Sequence, residues 1–246
     1  MRNMLRGALA AIVFCIAMAP AGAMSTNIQS YICSKLDDFS ATMSVVSVNE
    51  RALSKISKDA VMLYRFKDMN MRYKEPNKVR MEGSQNGTRA IVIMNGSVQT
   101  FSLPKSRLVK RSDFGSSPGK RKSLMDVGIV SEYYLTYTNA KYLREGTVEG
   151  VHCAVFEMSY KDRSEDTSHH IVYIDPQTRV VLKREAYSQE GKFQAIYLYK
   201  DIKEVANGIW FPTRVEVQNT DRVIAAVSAY KEIKVNVGIP DNIFKL

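Results

Sequence analysis

The chain has 246 residues, 45% of them hydrophobic, and its formal net charge is +10 at pH 7. Residues 1–23 place Arg2 and Arg6 before an apolar run that ends in small residues, which predicts a cleavable secretory signal peptide. Without those two arginines, residues 24–246 carry 33 basic and 25 acidic side chains, a net charge of +8. We expect them to form one soluble periplasmic domain, for which export excludes nucleic acid as a partner and favours anionic membrane surfaces or envelope proteins.

The first half of the chain predicts a short helix followed by strands. Ile28, Ile32 and Leu36 recur at every fourth residue, which indicates one apolar stripe on a helix. Asn86-Gly87 and Asn95-Gly96 are signals for two-residue type I′ hairpin turns, which join antiparallel neighbours. The predicted strands of this half, short and rich in β-branched and aromatic residues, are 40–48, 60–70, 79–83, 89–94, 98–103 and 106–111.

A basic loop and a helix interrupt the strands in the middle of the chain. Ser123 to Asp126 has the form of a capping box, and Leu124, Val127 and Tyr134 then fall on one side of a helix. We expect this lid helix to cover an open end or face of the sheet. The loop before it is either a solvated segment or a surface for anionic lipid headgroups or an acidic partner, and its basic residues are Lys105, Arg107, Lys110, Arg111, Lys120, Arg121 and Lys122.

Strands resume at about residue 141 and dominate the second half of the chain. About a dozen strands with short links and no intervening helical pattern predict a mainly β fold, an antiparallel meander closed as a barrel, half-barrel or sandwich. Parallel α/β folds are excluded on this ground. The later strands are predicted at 151–160, 168–174, 180–188, 193–204, 210–218 and 223–235.

Several strands carry apolar residues on both faces, so that the sheet either packs on both sides or lines a cavity. Methionine is flexible and polarizable, and it suits surfaces that accept variable apolar ligands. A filled sandwich core is the alternative. The candidate cavity residues share strand faces by alternation, and they are Met62, Tyr64, Phe66, Phe156, Met158, Tyr160, Phe193, Tyr197 and Tyr199.

No motif in the sequence supports catalysis or metal binding. The segment 115–119 matches G-x-S-x-G around Ser117, but basic and polar residues surround it where a nucleophile elbow needs a strand and a helix. His169 and His170 are adjacent in a strand and point to opposite faces, so they cannot clamp one metal. We predict a non-enzymatic protein without cofactors, with a hydrolase kept as a minor alternative. Cys33 and Cys153 can form one disulfide or remain two thiols.

Short segments in order along residues 36–244 resemble the LolA-like family of lipoprotein carrier and sorting proteins. The resemblance implies an incomplete antiparallel β-barrel whose concave apolar face is covered by helices and holds lipid or lipoprotein acyl chains. A monomer that sorts lipoproteins to the outer membrane is the implied function. The matching segments are Leu36-Asp37-Asp38-Phe39-Ser40-Ala41, the proline corner at 73–82, the turn and strand at 95–104, Tyr173-Ile174-Asp175-Pro176-Gln177-Thr178, Ile209-Trp210-Phe211-Pro212-Thr213 and the terminal segment at 237–244.

The same fold also serves in stress-sensing regulators. The alternative function is therefore an envelope sensor or adaptor that binds another envelope protein. The resemblance also implies a specific tie between lid and barrel, because in the family carrier an arginine directly precedes the corner proline. In this chain the corresponding residue is Glu75, so we do not expect the lid to open and close in the way known for that carrier.

Overall fold

The computed structural model describes residues 24–246, and the predicted signal peptide lies outside the described residues. Within them, thirteen antiparallel strands form one sheet. The strands are β1 Asp38–Val48, β2 Asp68–Lys74, β3 Lys78–Gln85, β4 Thr88–Asn95, β5 Val98–Leu103, β6 Leu108–Asp113, β7 Thr138–Val148, β8 Val151–Tyr160, β9 His169–Ile174, β10 Val181–Tyr187, β11 Phe193–Ala206, β12 Ile209–Gln218 and β13 Ile224–Val235.

The strand order is β6-β5-β4-β3-β2-β1-β13-β12-β11-β10-β9-β8-β7. Each half is a meander of hairpins, and the pairing of β1 with β13 joins the six N-terminal strands to the seven C-terminal ones. The edge strands β6 and β7 do not pair with each other, so the sheet is an incomplete barrel. The predicted fold class is confirmed.

Several short helices pack on one face of this sheet, which we call the inner face, whereas Pro104–Ser106 lies in the β5–β6 hairpin and Asp241–Phe244 packs on the opposite face. The α-helices are α1 Glu50–Ser54, α2 Lys58–Leu63 and α3 Glu132–Tyr137. The 3-10 helices are Ile28–Tyr31, Pro104–Ser106, Pro118–Lys120, Leu124–Val127 and Asp241–Phe244. We call residues 118–137 the cover, because they belong to the long segment that connects the two edge strands, β6 and β7.

Three local predictions were wrong. Residues 60–70 are not one strand, because Ser57 caps α2 by accepting a hydrogen bond from the amide of Ala60 (3.2 Å), and β2 begins only at Asp68. The N-terminal helix is a single 3-10 turn, Ile28–Tyr31. The lid helix is two short helices, because Gly128 ends the first of them with a left-handed φ of 77°.

The two hairpin signals gave different turns. Asn86 and Gly87 form the turn between β3 and β4 with φ of 51° and 71°, as a type I′ turn requires. In the next hairpin Asn95 pairs with Val98, so the turn residues are Gly96 and Ser97, and the positive φ falls on Gly96 (62°). Both turns join antiparallel neighbours, as predicted.

The core has three parts. The main cluster fills the space between the inner face and the helices, and it is rich in methionine and aromatic residues. A second cluster lies on the outer face of the C-terminal strands around Val155 and Leu182. A third forms where the C-terminal residues Ile239 and Phe244 cover Ile91 and Ile93.

Candidate functional site

The cover packs on the inner face through apolar side chains. Leu124, Met125 and Val127 are almost fully buried, and they belong to the same cluster as Phe156 and Tyr199 on the sheet. Phe156 is fully buried and meets the rings of Tyr31 and Tyr142 edge-on, with centroids 5.4 and 5.5 Å apart. Full burial of one large apolar side chain stabilises the folded state by about 1.5–3 kcal/mol. The cover is therefore held mainly by apolar contact.

The structure separates the candidate cavity residues into three groups. Phe156, Met158, Tyr160 and Tyr199 are buried within the sheet, and Tyr197 packs beside them. Phe193 lies at the start of β11 and contacts Tyr187 with a centroid distance of 5.8 Å.

The third group does not lie on a strand. Tyr64 and Phe66 follow α2 and are half-buried against the main core. Met62 lies on α2 with 61% of its surface exposed, so the strand face expected for these three residues does not exist.

Two cavities are found on the outer side of the sheet. One of about 290 Å³ is lined by polar residues, among them Thr42, Arg72 and Glu232. The other, of about 150 Å³, is lined by Val151, Leu182 and neighbouring residues. Pockets for drug-sized ligands usually measure roughly 300–1,000 Å³. Neither cavity belongs to the space beneath the cover, where the buried side chains fill the inner face.

An ion pair between a buried arginine and a half-buried aspartate ties the cover to the sheet. Arg184 on β10 is only 6% exposed, and its Nη2 lies 3.5 Å from Oδ1 of Asp126 in the cover. The same guanidinium stacks over the ring of Tyr197 at 4.1 Å. Burial opposes the charged guanidinium, but the neighbouring Tyr199 and Asp126 raise the pKa of Arg184. This contact links lid and barrel at a position other than Glu75.

Asp126 has two roles in the cover. Its Oδ2 accepts a hydrogen bond from the Ser123 amide (3.2 Å), which completes the predicted capping box. Burial disfavours the ionised carboxylate, but Lys122 and Arg184 outweigh that effect and lower the pKa of Asp126. The residue that completes the capping box of the helix Leu124–Val127 thus also holds that helix to the sheet.

His170 borders this ion pair. Burial, together with Arg184, lowers the pKa of His170 to about 3, so the imidazole is neutral at physiological pH. Nδ1 of His170 and Nε of Arg184 are buried without a hydrogen-bond partner among the described residues. Unpaired buried polar atoms cost about 1–3 kcal/mol each, so this part of the interface is less stable than its apolar surroundings.

Backbone contacts complete the attachment of the cover. The amide of Val181 donates to the carbonyl of Gly128 (2.8 Å), and Ile129 forms a β-bridge with Val180. The hydroxyl of Tyr199 donates to the carbonyl of Met125 (2.9 Å). A Cβ at Gly128 would lie 2.8 Å from the Tyr199 ring, so glycine is required both by φ and by space.

Sequence reasoning missed the ion pair and the close approach at Gly128. Arg184 stands in an ordinary strand, and no local pattern places it opposite Asp126. The glycine carries a weak signal, since it directly follows a predicted capping box and so is placed to end a short helix.

The basic loop divides into two parts. Arg121 donates to the carbonyls of Phe114 (3.0 Å) and Gly115 (2.7 Å) and lies over the Tyr137 ring, so it is a structural part of the cover. Lys122 is half-buried near Asp126, and Lys120 is exposed. The exposed remainder lies around the β5–β6 hairpin, and it consists of Lys105, Arg107, Lys110 and Arg111.

The two cysteines of the described chain are free thiols. Cys33 packs against the inner cluster, whereas Cys153 belongs to the outer one, so they lie on opposite sides of the sheet. Burial raises the pKa of Cys33, and it raises that of Cys153 to about 11. The disulfide that the sequence left open is not formed.

The described residues contain no group of three or more histidine, cysteine or acidic side chains placed to hold a metal. In the same part of the chain, no helix has the length and apolar character needed to span a bilayer.

Comparison with solved structures defines the class of fold. A domain described as an outer membrane lipoprotein-sorting protein from Vibrio parahaemolyticus superposes with a TM-score of 0.62 at 15% identity, over 88% of this chain and 92% of that one. A LolA superfamily protein from Nitrosomonas europaea gives 0.59 at 14% identity, over 88% and 94%. A DUF1329 family protein from Desulfovibrio piger gives 0.52 at 15%, over 86% and 91%. The fold is LolA-like, as the sequence segments predicted.

Comparison of the sequence with models of protein families identifies the family of this chain. A family model described as "Uncharacterized protein" matches residues 67–246, and the chain belongs to that family. Comparison with curated protein sequences gave no match.

Proposed function

We propose that this protein is an exported, non-enzymatic carrier that holds an apolar ligand between the inner face of the sheet and the cover. The ligand is a lipid or the acyl part of a lipoprotein, in transit to the outer membrane. The observation that carries the proposal is the apolar contact between Leu124, Met125 and Val127 of the cover and the methionine- and aromatic-rich inner face. An acyl chain can replace that contact if the cover moves away.

Burial of an acyl chain offsets the cost of such an exchange at least in part. Each methylene removed from water contributes about 0.8 kcal/mol, so a chain of about sixteen carbons contributes on the order of 12 kcal/mol before the costs of binding. Moving the cover exposes several buried side chains and breaks the Arg184–Asp126 contact. The ligand covers the inner face again, and the methionines there adapt to its shape. The likeness to a domain described as a lipoprotein-sorting protein agrees with this ligand class.

The filled inner face favours a second candidate, an envelope sensor or adaptor that never binds lipid. In that case the cover is a permanent part of the core, and function lies on an outer surface. The two candidates differ in one measurable property, the presence of an apolar ligand in the native protein.

The test is native mass spectrometry of the protein purified gently from the envelope fraction of its own cells, with lipid extraction in parallel. A carrier is expected to retain lipid or lipoprotein at a defined stoichiometry. The matched variants are Met125→Asp, which places a charge between cover and sheet, and Met62→Asp on the exposed side of α2. If Met125→Asp loses the ligand while Met62→Asp keeps it, the result supports the carrier function. A bare protein that also takes up no fluorescent fatty acid contradicts it and favours the adaptor.

A further inference from the structure

The β5–β6 hairpin projects apolar and cationic side chains together. Leu103 pairs with Leu108 at the end of the hairpin, and residues 104–107 form its turn, with Arg107 in the left-handed region. Leu108 and Val109 are 48% and 58% exposed, so both apolar side chains are available to a partner. We call residues 103–111 the cationic tip.

The positive charges of the tip are not neutralised within the described chain. Lys105, Arg107, Lys110 and Arg111 are exposed, and none forms an ion pair with a described residue. The sequence from Pro104 to Arg111 contains no acidic residue. The Ser97 hydroxyl, the Gly115 amide and, more weakly, Arg121 and Arg111 lower the pKa of Asp113, so Arg111 is partly compensated, whereas Lys105, Arg107 and Lys110 keep their attraction for anions.

We propose that the cationic tip docks the protein on an anionic phospholipid surface. Neighbouring side chains of a strand point to opposite faces, so Leu108 and Val109 lie on opposite sides of the hairpin, and so do Lys110 and Arg111. Cationic and apolar side chains therefore lie on both faces of the hairpin end. A planar layer of headgroups can contact all of these side chains, with the two apolar ones entering the interface.

An acidic polypeptide is the competing partner, since β6 is a free edge to which a strand can add. A strand paired with β6 would cover neither Leu108 nor Val109, because their side chains stand perpendicular to the sheet. The exposed apolar pair therefore favours the membrane. Docking requires no ligand beneath the cover, so this inference and the carrier function can fail independently.

The experiment is co-sedimentation of the purified protein with vesicles of phosphatidylcholine, with and without roughly 30% phosphatidylglycerol. Binding is expected only to the anionic vesicles, and it should fall at least tenfold between about 0.05 and 0.5 M salt because the charges are screened. Each cation near an anionic surface contributes about a fivefold factor in binding, equivalent to about 1 kcal/mol. Lys110→Glu combined with Arg111→Glu should therefore weaken binding by about 25-fold or more.

The matched control is Lys203→Glu combined with Lys231→Glu, which changes the net charge equally at two exposed sites of β11 and β13. This pair should weaken binding by less than about threefold, through net charge alone. Equal loss in both double variants would overturn the proposal, because it would show binding to be unspecific.

A second measurement does not depend on charge variants. Leu108→Trp in a Trp210→Phe background gives one tryptophan at the tip, since Trp210 is the single tryptophan of the chain. Anionic vesicles should shift its emission to the blue, and brominated lipid should quench it. Unchanged emission with bound vesicles, or capture by poly-glutamate without any vesicle binding, would overturn the membrane assignment.

Discussion

At the scale of single residues, the contact between Arg184 and Asp126 shows how a charge is kept beneath an apolar cover. The two groups face each other at 3.5 Å, while Tyr197 stacks on the guanidinium. Arg184 is buried, whereas the Asp126 side chain is 35% exposed, so water screens their attraction and the pair adds little net stability. The pair therefore acts as a positional constraint that disfavours partial opening of the cover.

His170 makes the stability of this region depend on pH. The folded protein keeps its pKa near 3, whereas an unfolded histidine titrates near 6.5. Below pH 6.5 the unfolded chain binds the extra proton, so this contribution to stability is present above pH 6.5 and is lost as the pH falls towards 3. At pH 5 the loss amounts to about 2 kcal/mol.

Urea unfolding at several pH values between about 5 and 7.5 measures this loss, since most carboxylates stay ionised over that range. His170→Gln should flatten the pH dependence, while the exposed His152→Gln should leave it unchanged. Parallel curves for the wild type and His170→Gln would contradict the prediction.

The tight packing at Gly128 leads to a second prediction for a single residue, on the free energy of unfolding. Gly128→Ala should lower the free energy of unfolding by about 2–4 kcal/mol, because it combines a left-handed alanine with a clash against the Tyr199 ring. Gly87 has a similar φ of 71° but no atom near its Cβ position, so Gly87→Ala should cost only about 1 kcal/mol. Equal losses in the two variants, measured by urea unfolding, would mean that the cover does not press on Tyr199.

At the scale of elements, the C-terminal segment, residues 236–246, acts as a strap across the outer face. The buried carboxylate of Asp38 accepts hydrogen bonds from three successive amides of residues 237–239, at 2.9–3.0 Å. Arg80, just beyond the proline corner, donates to the carbonyl of Ile243 (2.8 Å) and pairs with Glu82. Its role is therefore to anchor the strap.

The strap should contribute strongly to stability. Phe244→Ala removes a buried ring from Ile91 and Ile93 and should lower the free energy of unfolding by about 3–5 kcal/mol. Leu246→Ala is the matched control, since Leu246 is 61% exposed two residues later and should change it by less than about 0.5 kcal/mol. Thermal and urea unfolding of the two variants give both values. Equal stability of the two would show that the strap is not packed in solution.

The elements differ in how well the sequence predicts them. The bounds of β8, 151–160, follow from its β-branched and aromatic residues between turns, and structure and sequence agree. Residues 60–66 show the same apolar alternation, yet the Ser57 cap and the helix-forming Ala60 and Met62 outweigh it. The tie at Arg184 was not predictable, because it joins residues 58 positions apart through the tertiary fold.

At the scale of the whole molecule, β1 and β13 make the two meanders one sheet. Their pairing extends from Phe39 and Val235 to Val48 and Ala226, and the main core runs across it without a break. The six N-terminal strands therefore depend on the C-terminal ones for their packing.

This continuity predicts one cooperative unfolding transition. Emission of Trp210 reports on β12 in the C-terminal half, and hydrogen exchange of β3 and β4 reports on the other half. These two probes and the far-UV circular dichroism should all give the same urea midpoint. Two separated midpoints would contradict a single domain over residues 24–246.

The central claim is that the cover must leave the inner face for an apolar ligand to enter. Ile129 and Val180 are direct partners in an antiparallel bridge between cover and sheet, where Cα atoms lie about 4.5–5.5 Å apart, although their native side chains pack in the inner and the outer cluster respectively. Ile129→Cys with Val180→Cys, in a background of Cys33→Ala and Cys153→Ala, locks the cover once oxidation joins the two sulfurs, which the loss of free thiols verifies before binding is measured. Thr147→Cys with His152→Cys in the same background places a control disulfide across β7 and β8.

The decisive measurement is the binding of a fluorescent fatty acid to both variants, reduced and oxidised. We expect binding to both reduced proteins and to the oxidised control, with at least a tenfold loss when the cover is locked. Equal binding to the locked and the reduced protein would contradict it, because the ligand would then lie elsewhere than beneath the cover.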